Sequence, residues 1–136
     1  MERKTEKMPP HTAEILKINA GSVKMSSCVL LIGITGEPKR LERPLDCGAC
    51  GYDNCESLTK ATKRTKDFTG PICIFQAMDL GIALASAAKI ASELNIDNRM
   101  MYSIGVAAKE MQLLDADVII GIPLSVTGKN PYSARR

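Results

Sequence analysis

The feature that most constrains this chain is a set of cysteines. Four of its five fall within residues 45–74, as Cys47, Cys50, Cys55 and Cys73, in the spacing C-x2-C-x4-C and then, after seventeen residues, a last cysteine. The first three lie in Cys47-Gly48-Ala49-Cys50-Gly51-Tyr52-Asp53-Asn54-Cys55, so one loop carries three thiols and a second segment must bring the fourth back to it. Thiols at this density point to an iron–sulfur site, because such clusters are held by cysteine thiolates and four suffice.

Composition favours metal or redox chemistry over disulfides. Residues 1–10 are polar, carry both charge signs and lack an apolar region long enough for a signal peptide or an anchor, so a cytoplasmic protein is expected. In that compartment five cysteines, an odd number, argue against a disulfide framework. The 136 residues suit one domain, and a chain of that size buries roughly two thirds of its unfolded surface. Net charge is only +3, and no stretch combines dense Lys/Arg with aromatics, so nucleic acid is not an expected partner. The longest apolar run, 74–91, is interrupted by Gln76, Asp79 and Lys89 and rich in Ala and Gly; it is read as a buried helix, with no membrane expected.

Along the chain, residues 1–20 are expected to be a flexible tail with at most a short helix around Ile15, Leu16 and Ile18, and 21–136 a single α/β domain. Residues 28–34, Cys-Val-Leu-Leu-Ile-Gly-Ile, read as a central strand buried on both faces, ended by Thr35-Gly36-Glu37-Pro38. Cys28, inside it, is read as a small buried hydrophobe outside the site. After a charged connector at 39–44, Asp46 leads into the cysteine loop. Asp53 or Asn54 is expected to cap a helix over 55–64, with Glu56 in a capping-box relation to Asp53. Cys55 then sits in a first helical turn, where free amide donors and the positive dipole end favour thiolates. Gly70-Pro71 turns the chain so that Cys73 returns, opening a long helix to about residue 94. Its Gly81, Ala83, Ala85, Ser86, Ala87, Ala88 and Ala91 allow close packing, either as a core helix or as a homodimer seam. A helix over 100–114 and a second buried strand over 118–122, cut off by Pro123, complete the body. The fold class is α/β (α+β): a small sheet with packed helices, carrying residues 45–74 as an inserted loop and helix that bind the cluster.

Three ligands within nine residues and a distant fourth suit a loop wrapped around a compact [4Fe-4S] cubane, whereas the plant-type two-iron pattern has the x4 and x2 intervals in the opposite order. Gly48 and Gly51, each directly after a ligand, permit backbone conformations closed to other residues and let amides approach the sulfurs. The alternative for the same residues is a structural zinc site of four cysteines, although structural zinc usually takes two short C-x2–4-C knuckles and the fourth cysteine here has no partner.

The motif Cys47-Gly48-Ala49-Cys50-Gly51-Tyr52-x-x-Cys55, with a following helix and Cys73, resembles the [4Fe-4S] domain shared by the corrinoid iron–sulfur protein and the B subunit of the Rnf electron-transport complex, matching at all four ligands. More widely, residues 27–132, including Gly70-Pro71-x-Cys73, Asp79-Leu80-Gly81-Ile82-Ala83 and Asp115-Ala116-Asp117-Val118, resemble an uncharacterised family of ferredoxin-domain proteins from anaerobic bacteria and archaea. Members of that family tend to have a longer N-terminal region, and residues 133–136 depart from its pattern. The order strand, long helix, short helix, strand also weakly resembles the core of nitroreductase-like flavoproteins. That likeness implies FMN, but the basic FMN-binding segment expected near the N-terminus has no clear counterpart.

Other candidates are weaker. Lys60, Lys63 and Arg64 are read as one helix face, solvated or docking an acidic ferredoxin or flavodoxin. Gly128-Lys129-Asn130 lacks the first Gly and the Ser/Thr of a phosphate loop. His11 is the only histidine and lies in the tail, and Asp115 and Asp117 are read as turn and capping residues. The expected function is a [4Fe-4S] protein that transfers electrons or serves as a redox subunit with a redox partner protein. The alternatives are an FMN-dependent nitroreductase-like oxidoreductase with an auxiliary cluster, and a structural zinc protein. Because Cys73 opens the long helix while its fellow ligands hang from a loop, the cluster is expected to clamp two parts of the fold.

Overall fold

Two apolar, β-branched runs pair to make the sheet on which the helices pack. The computed structural model describes residues 9–132; residues 1–8 of the expected tail and 133–136 lie outside the described residues. In chain order the elements are α1 (Pro10–Lys24), β1 (Cys28–Ile34), α2 (Cys55–Lys60), β2 (Arg64–Thr65), β3 (Thr69–Gly70), α3 (Ile74–Glu93), β4 (Asp97–Asn98), α4 (Tyr102–Glu110) and β5 (Val118–Ser125). The chain is thus a mixed α/β fold with a three-stranded antiparallel sheet in the order β1-β5-β4 and a separate β2–β3 hairpin.

Side chains alternate between the faces of a strand, so the register decides what each face packs against. Leu30 pairs with Ile122, Ile32 with Ile120 and Ile34 with Val118. One face brings Ile32, Ile34, Val118, Ile120, Ile122 and Leu124 against Leu80 and Leu84 of α3. The other brings Val29 and Leu31 together with Ile104 of α4, Val23 of α1, Met101 and Tyr132. Helix α3 therefore covers one face, and α4 with the end of α1 covers the other. The α4–β5 contact is close because two glycines meet it: a Cβ on Gly105 would stand 1.6 Å from the Ile119 carbonyl oxygen, and one on Gly121 would stand 2.1 Å from Ile104.

Four expectations are corrected. The central strand is β5, whose Ile119, Ile122, Pro123 and Ser125 are fully buried, whereas β1 is an edge strand with Leu30 and Cys28 exposed. Strand β5 also runs through Pro123 instead of ending there. Gly121 exchanges both backbone hydrogen bonds with Met101, so by alternation Pro123 turns its nitrogen to the same side, where the β4 ladder is interrupted between Asn98 and Met101. Helix α1 is not short but runs fifteen residues, with Pro10 at its first position and Asn19 donating to the Ser103 hydroxyl at 3.0 Å. Helix α3 forms over the expected residues, yet only Gln76, Leu80, Leu84 and Ala91 are buried; although long and apolar enough to cross a membrane, it lies on the sheet along this one stripe.

Candidate metal centre

The exit from β1 fixes where the cysteines can meet. The Gly36 amide donates to Asp117 Oδ2 at 2.7 Å, the Asp117 amide to the Ile34 carbonyl at 2.8 Å, and the Cys73 amide to the Gly36 carbonyl at 2.7 Å. A Cβ on Gly36 would stand 2.9 Å from the Pro71 carbonyl oxygen, so a side chain here would push the two backbones apart. Asp117 thus serves not as a local turn or cap but as a long-range acceptor that ties the exit of β1 to the start of β5. Cys73 is held at the N-cap of α3 beside the end of β1, its thiol not used to cap the helix.

The other three thiols hang from the loop that follows. Gly48 and Gly51 have φ values of 67° and 84°, the left-handed region their lack of a side chain permits, and the Gly51 amide closes a turn on the Gly48 carbonyl at 2.9 Å. Asp46 also lies at positive φ, and its Oδ1 accepts the Cys55 amide at 2.7 Å. Asn54 caps α2, accepting the Ser57 amide at 2.8 Å. The capping box with Asp53 is not the arrangement found: Glu56 instead pairs with Lys60 one turn on.

Cys47, Cys50, Cys55 and Cys73 all line one cavity of about 310 Å³. Cys47 is exposed, Cys50 and Cys55 half-buried and Cys73 buried, so the cavity runs from the surface to the root of α3. Ile74 and Phe75 form an apolar part of its wall, and Arg40 and Arg43 a cationic part. Among the described residues no three or more His, Cys, Asp or Glu side chains are grouped so that they could hold a metal ion. Two larger clefts, of about 590 and 510 Å³, contain no cysteine. The donor set fits a thiolate-ligated cluster: four sulfurs around one cavity, a glycine-hinged loop, and the amino end of a 20-residue helix at the deepest one. Cys28 is exposed on the edge strand and does not line this cavity, so it is no buried hydrophobe.

Sequence reasoning missed Asp46, Arg40 and Arg43; the charged connector at 39–44 was the available signal. The basic helix face it named instead is not formed. α2 ends at Lys60, which pairs with Glu56, while Lys63 bonds Glu37 at 2.8 Å and Arg64 lies in β2. The hydrogen bond to Glu37 is the largest cause of a raised Lys63 pKa, with the Asp117 and Glu37 charges adding to it. Away from the cavity, Tyr102 donates to Asp67 and meets Phe68 edge-to-face at 5.2 Å, joining the hairpin to α4; burial first, then the Asp67 hydrogen bond and charge, push its hydroxyl up to about 12.

Comparison with known proteins gives a ferredoxin-domain description for part of the chain. No solved structure matches the chain. It is 46% identical over 117 residues to a protein of Archaeoglobus fulgidus described as an uncharacterized protein, a match covering 86% of this chain and 62% of the relative, so this chain spans under two thirds of the relative's length. A stretch of that size within this chain necessarily includes all four loop cysteines. Residues 69–135, which include Cys73, match the family described as "Uncharacterized protein containing a ferredoxin domain (DUF2148)".

Proposed function

We propose that the chain binds one [4Fe-4S] cluster through Cys47, Cys50, Cys55 and Cys73 and carries single electrons in the cytoplasm, exchanging them with a redox partner protein. The observation that carries this reading is that all four cysteines of the C-x2-C-x4-C…C pattern line the same cavity. The match to a ferredoxin-domain family supports an iron–sulfur, electron-carrier type of function. Against a structural zinc site stands the spacing of the ligands, since such sites usually take two short C-x2–4-C knuckles and Cys73 has no second cysteine near it in the chain. The nitroreductase-like reading and its FMN gain no support, since no solved structure matches and neither the Archaeoglobus fulgidus relative nor the family description names a flavin.

A bound cluster would supply a one-electron couple. The chain's own residues set its surroundings: Cys73 at the amino end of α3 lies where the helix dipole favours negative charge, and Arg40 and Arg43 add two positive charges to the cavity wall. Both stabilise the more negative, reduced state. Anaerobic reductive titration followed by visible absorption and electron paramagnetic resonance tests the reading. Uptake of one electron per chain, with bleaching of a broad brown absorption and a paramagnetic signal, is expected. Resolved flavin bands, or a colourless protein with bound zinc, would overturn it.

A further inference from the structure

The cavity mouth continues onto an unusual surface. Ile74 and Phe75, which line the cavity, are 39% and 44% exposed, and Met78 and Ile82 beyond them 55% and 64%. At these spacings the four side chains share one side of α3, opposite the Leu80–Leu84–Ala91 stripe that meets the sheet. Exposed Gly81 and Ala85 extend the patch. Contiguous apolar surface of this kind, unlike scattered exposed residues, marks an interaction site. Across the mouth the surface is basic. Arg40 and Arg43 line the cavity and are exposed, and among the described residues neither bonds an acidic side chain, whereas Lys39 is held by Asp79 at 2.5 Å. An apolar centre with a charged rim is the anatomy of a protein interface.

We propose that this face is a docking surface for an acidic protein, a small electron carrier whose carboxylates meet Arg40 and Arg43 while its apolar contact covers Ile74, Phe75, Met78 and Ile82. The proposal rests on the cluster reading and deepens it, because Arg40, Arg43, Ile74 and Phe75 line the same cavity as the four cysteines, of which Cys47 is exposed. Charge selects the occupant. A second copy of this chain, with net charge +3 and the same arginines, would set like charges together over the mouth. The surface also differs from the helix face named by sequence, whose Lys60 and Lys63 are already paired within the chain.

The test uses a labelled small acidic ferredoxin as the probe and the anaerobically purified chain, with binding read by fluorescence anisotropy across a salt series. Binding, not electron transfer, is measured, so failure here is distinct from failure of the cluster reading, which iron and sulfide content decides. Affinity is expected to fall steeply with salt and to drop at least tenfold in the double variant Arg40→Glu/Arg43→Glu and in Ile82→Asp. Lys17→Glu, an exposed charge reversal on α1 across the sheet, leaves it unchanged; circular dichroism verifies that each variant is folded. Salt-independent or absent binding, or equal binding by Arg40→Glu/Arg43→Glu, overturns the proposal. So does a wild-type dimer that Ile82→Asp dissociates, or retention on vesicles of phosphatidylcholine and phosphatidylserine in place of ferredoxin binding.

Discussion

At the scale of single residues, function and framework lie in different kinds of side chain. The cysteines announce themselves because three thiols at that spacing in one loop, with a fourth at the root of a helix, point to metal or redox chemistry. The residues that shape the site do not: Asp46 reaches the Cys55 amide from nine positions away and Arg40 enters the cavity wall from the connector, contacts made by the path of the loop and not by any local pattern. Tyr102 is a third case, an ordinary-looking tyrosine that the hairpin perturbs through Asp67. Its pKa is raised from 10.0 to about 12, so the folded state holds the proton more tightly than the unfolded one. The associated stability is complete below about pH 10 and is lost as pH rises towards 12. Following tyrosinate absorbance through a pH titration, one of the three tyrosines should ionise late. Asp67→Asn should bring that step part of the way back, and Tyr102→Phe should abolish it. A Tyr102 that ionises near 10 would contradict the assignment.

At the scale of elements, the apolar runs gave the strands and long helix close to where they stand, because period and β-branching are local properties. Neighbours are not local. Nothing within 28–34 tells an edge strand from a central one, and Pro123 ends a strand only if its missing donor faces a paired neighbour, which here it does not. Likewise, the small residues of α3 promised close packing but left its direction open, and the intimate contact is made instead by α4 through Gly105 and Gly121. Gly105→Ala is therefore expected to destabilise the protein by about 3 kcal/mol, since the obstructing atom is a backbone carbonyl in the central strand and cannot swing aside. Gly81→Ala, with no atom within 4 Å of the new methyl, should leave stability unchanged or raise it by up to about 1 kcal/mol through helix propensity. Urea unfolding of the two variants measures the difference; equal midpoints would mean that α4 does not pack on β5 in this way.

At the scale of the whole molecule, the chain leaves the sheet after Ile34, passes through the cysteine loop, α2 and the hairpin, and returns at α3, the excursion being closed by the Gly36 amide on the Asp117 carboxylate and the Cys73 amide on the Gly36 carbonyl. A cluster held by all four thiols would bridge the loop to the root of the helix that covers one sheet face, so its removal should lower the melting temperature as well as abolish electron uptake. The central claim is the ligand set, and its most direct measurement is iron, zinc and acid-labile sulfide per chain in the anaerobic protein and in each of the five Cys→Ser variants. About four irons and four sulfides are expected in the wild type, retained in Cys28→Ser and lost or depleted in Cys47→Ser, Cys50→Ser, Cys55→Ser and Cys73→Ser. One zinc without sulfide, or loss of the iron on changing Cys28, would contradict the account.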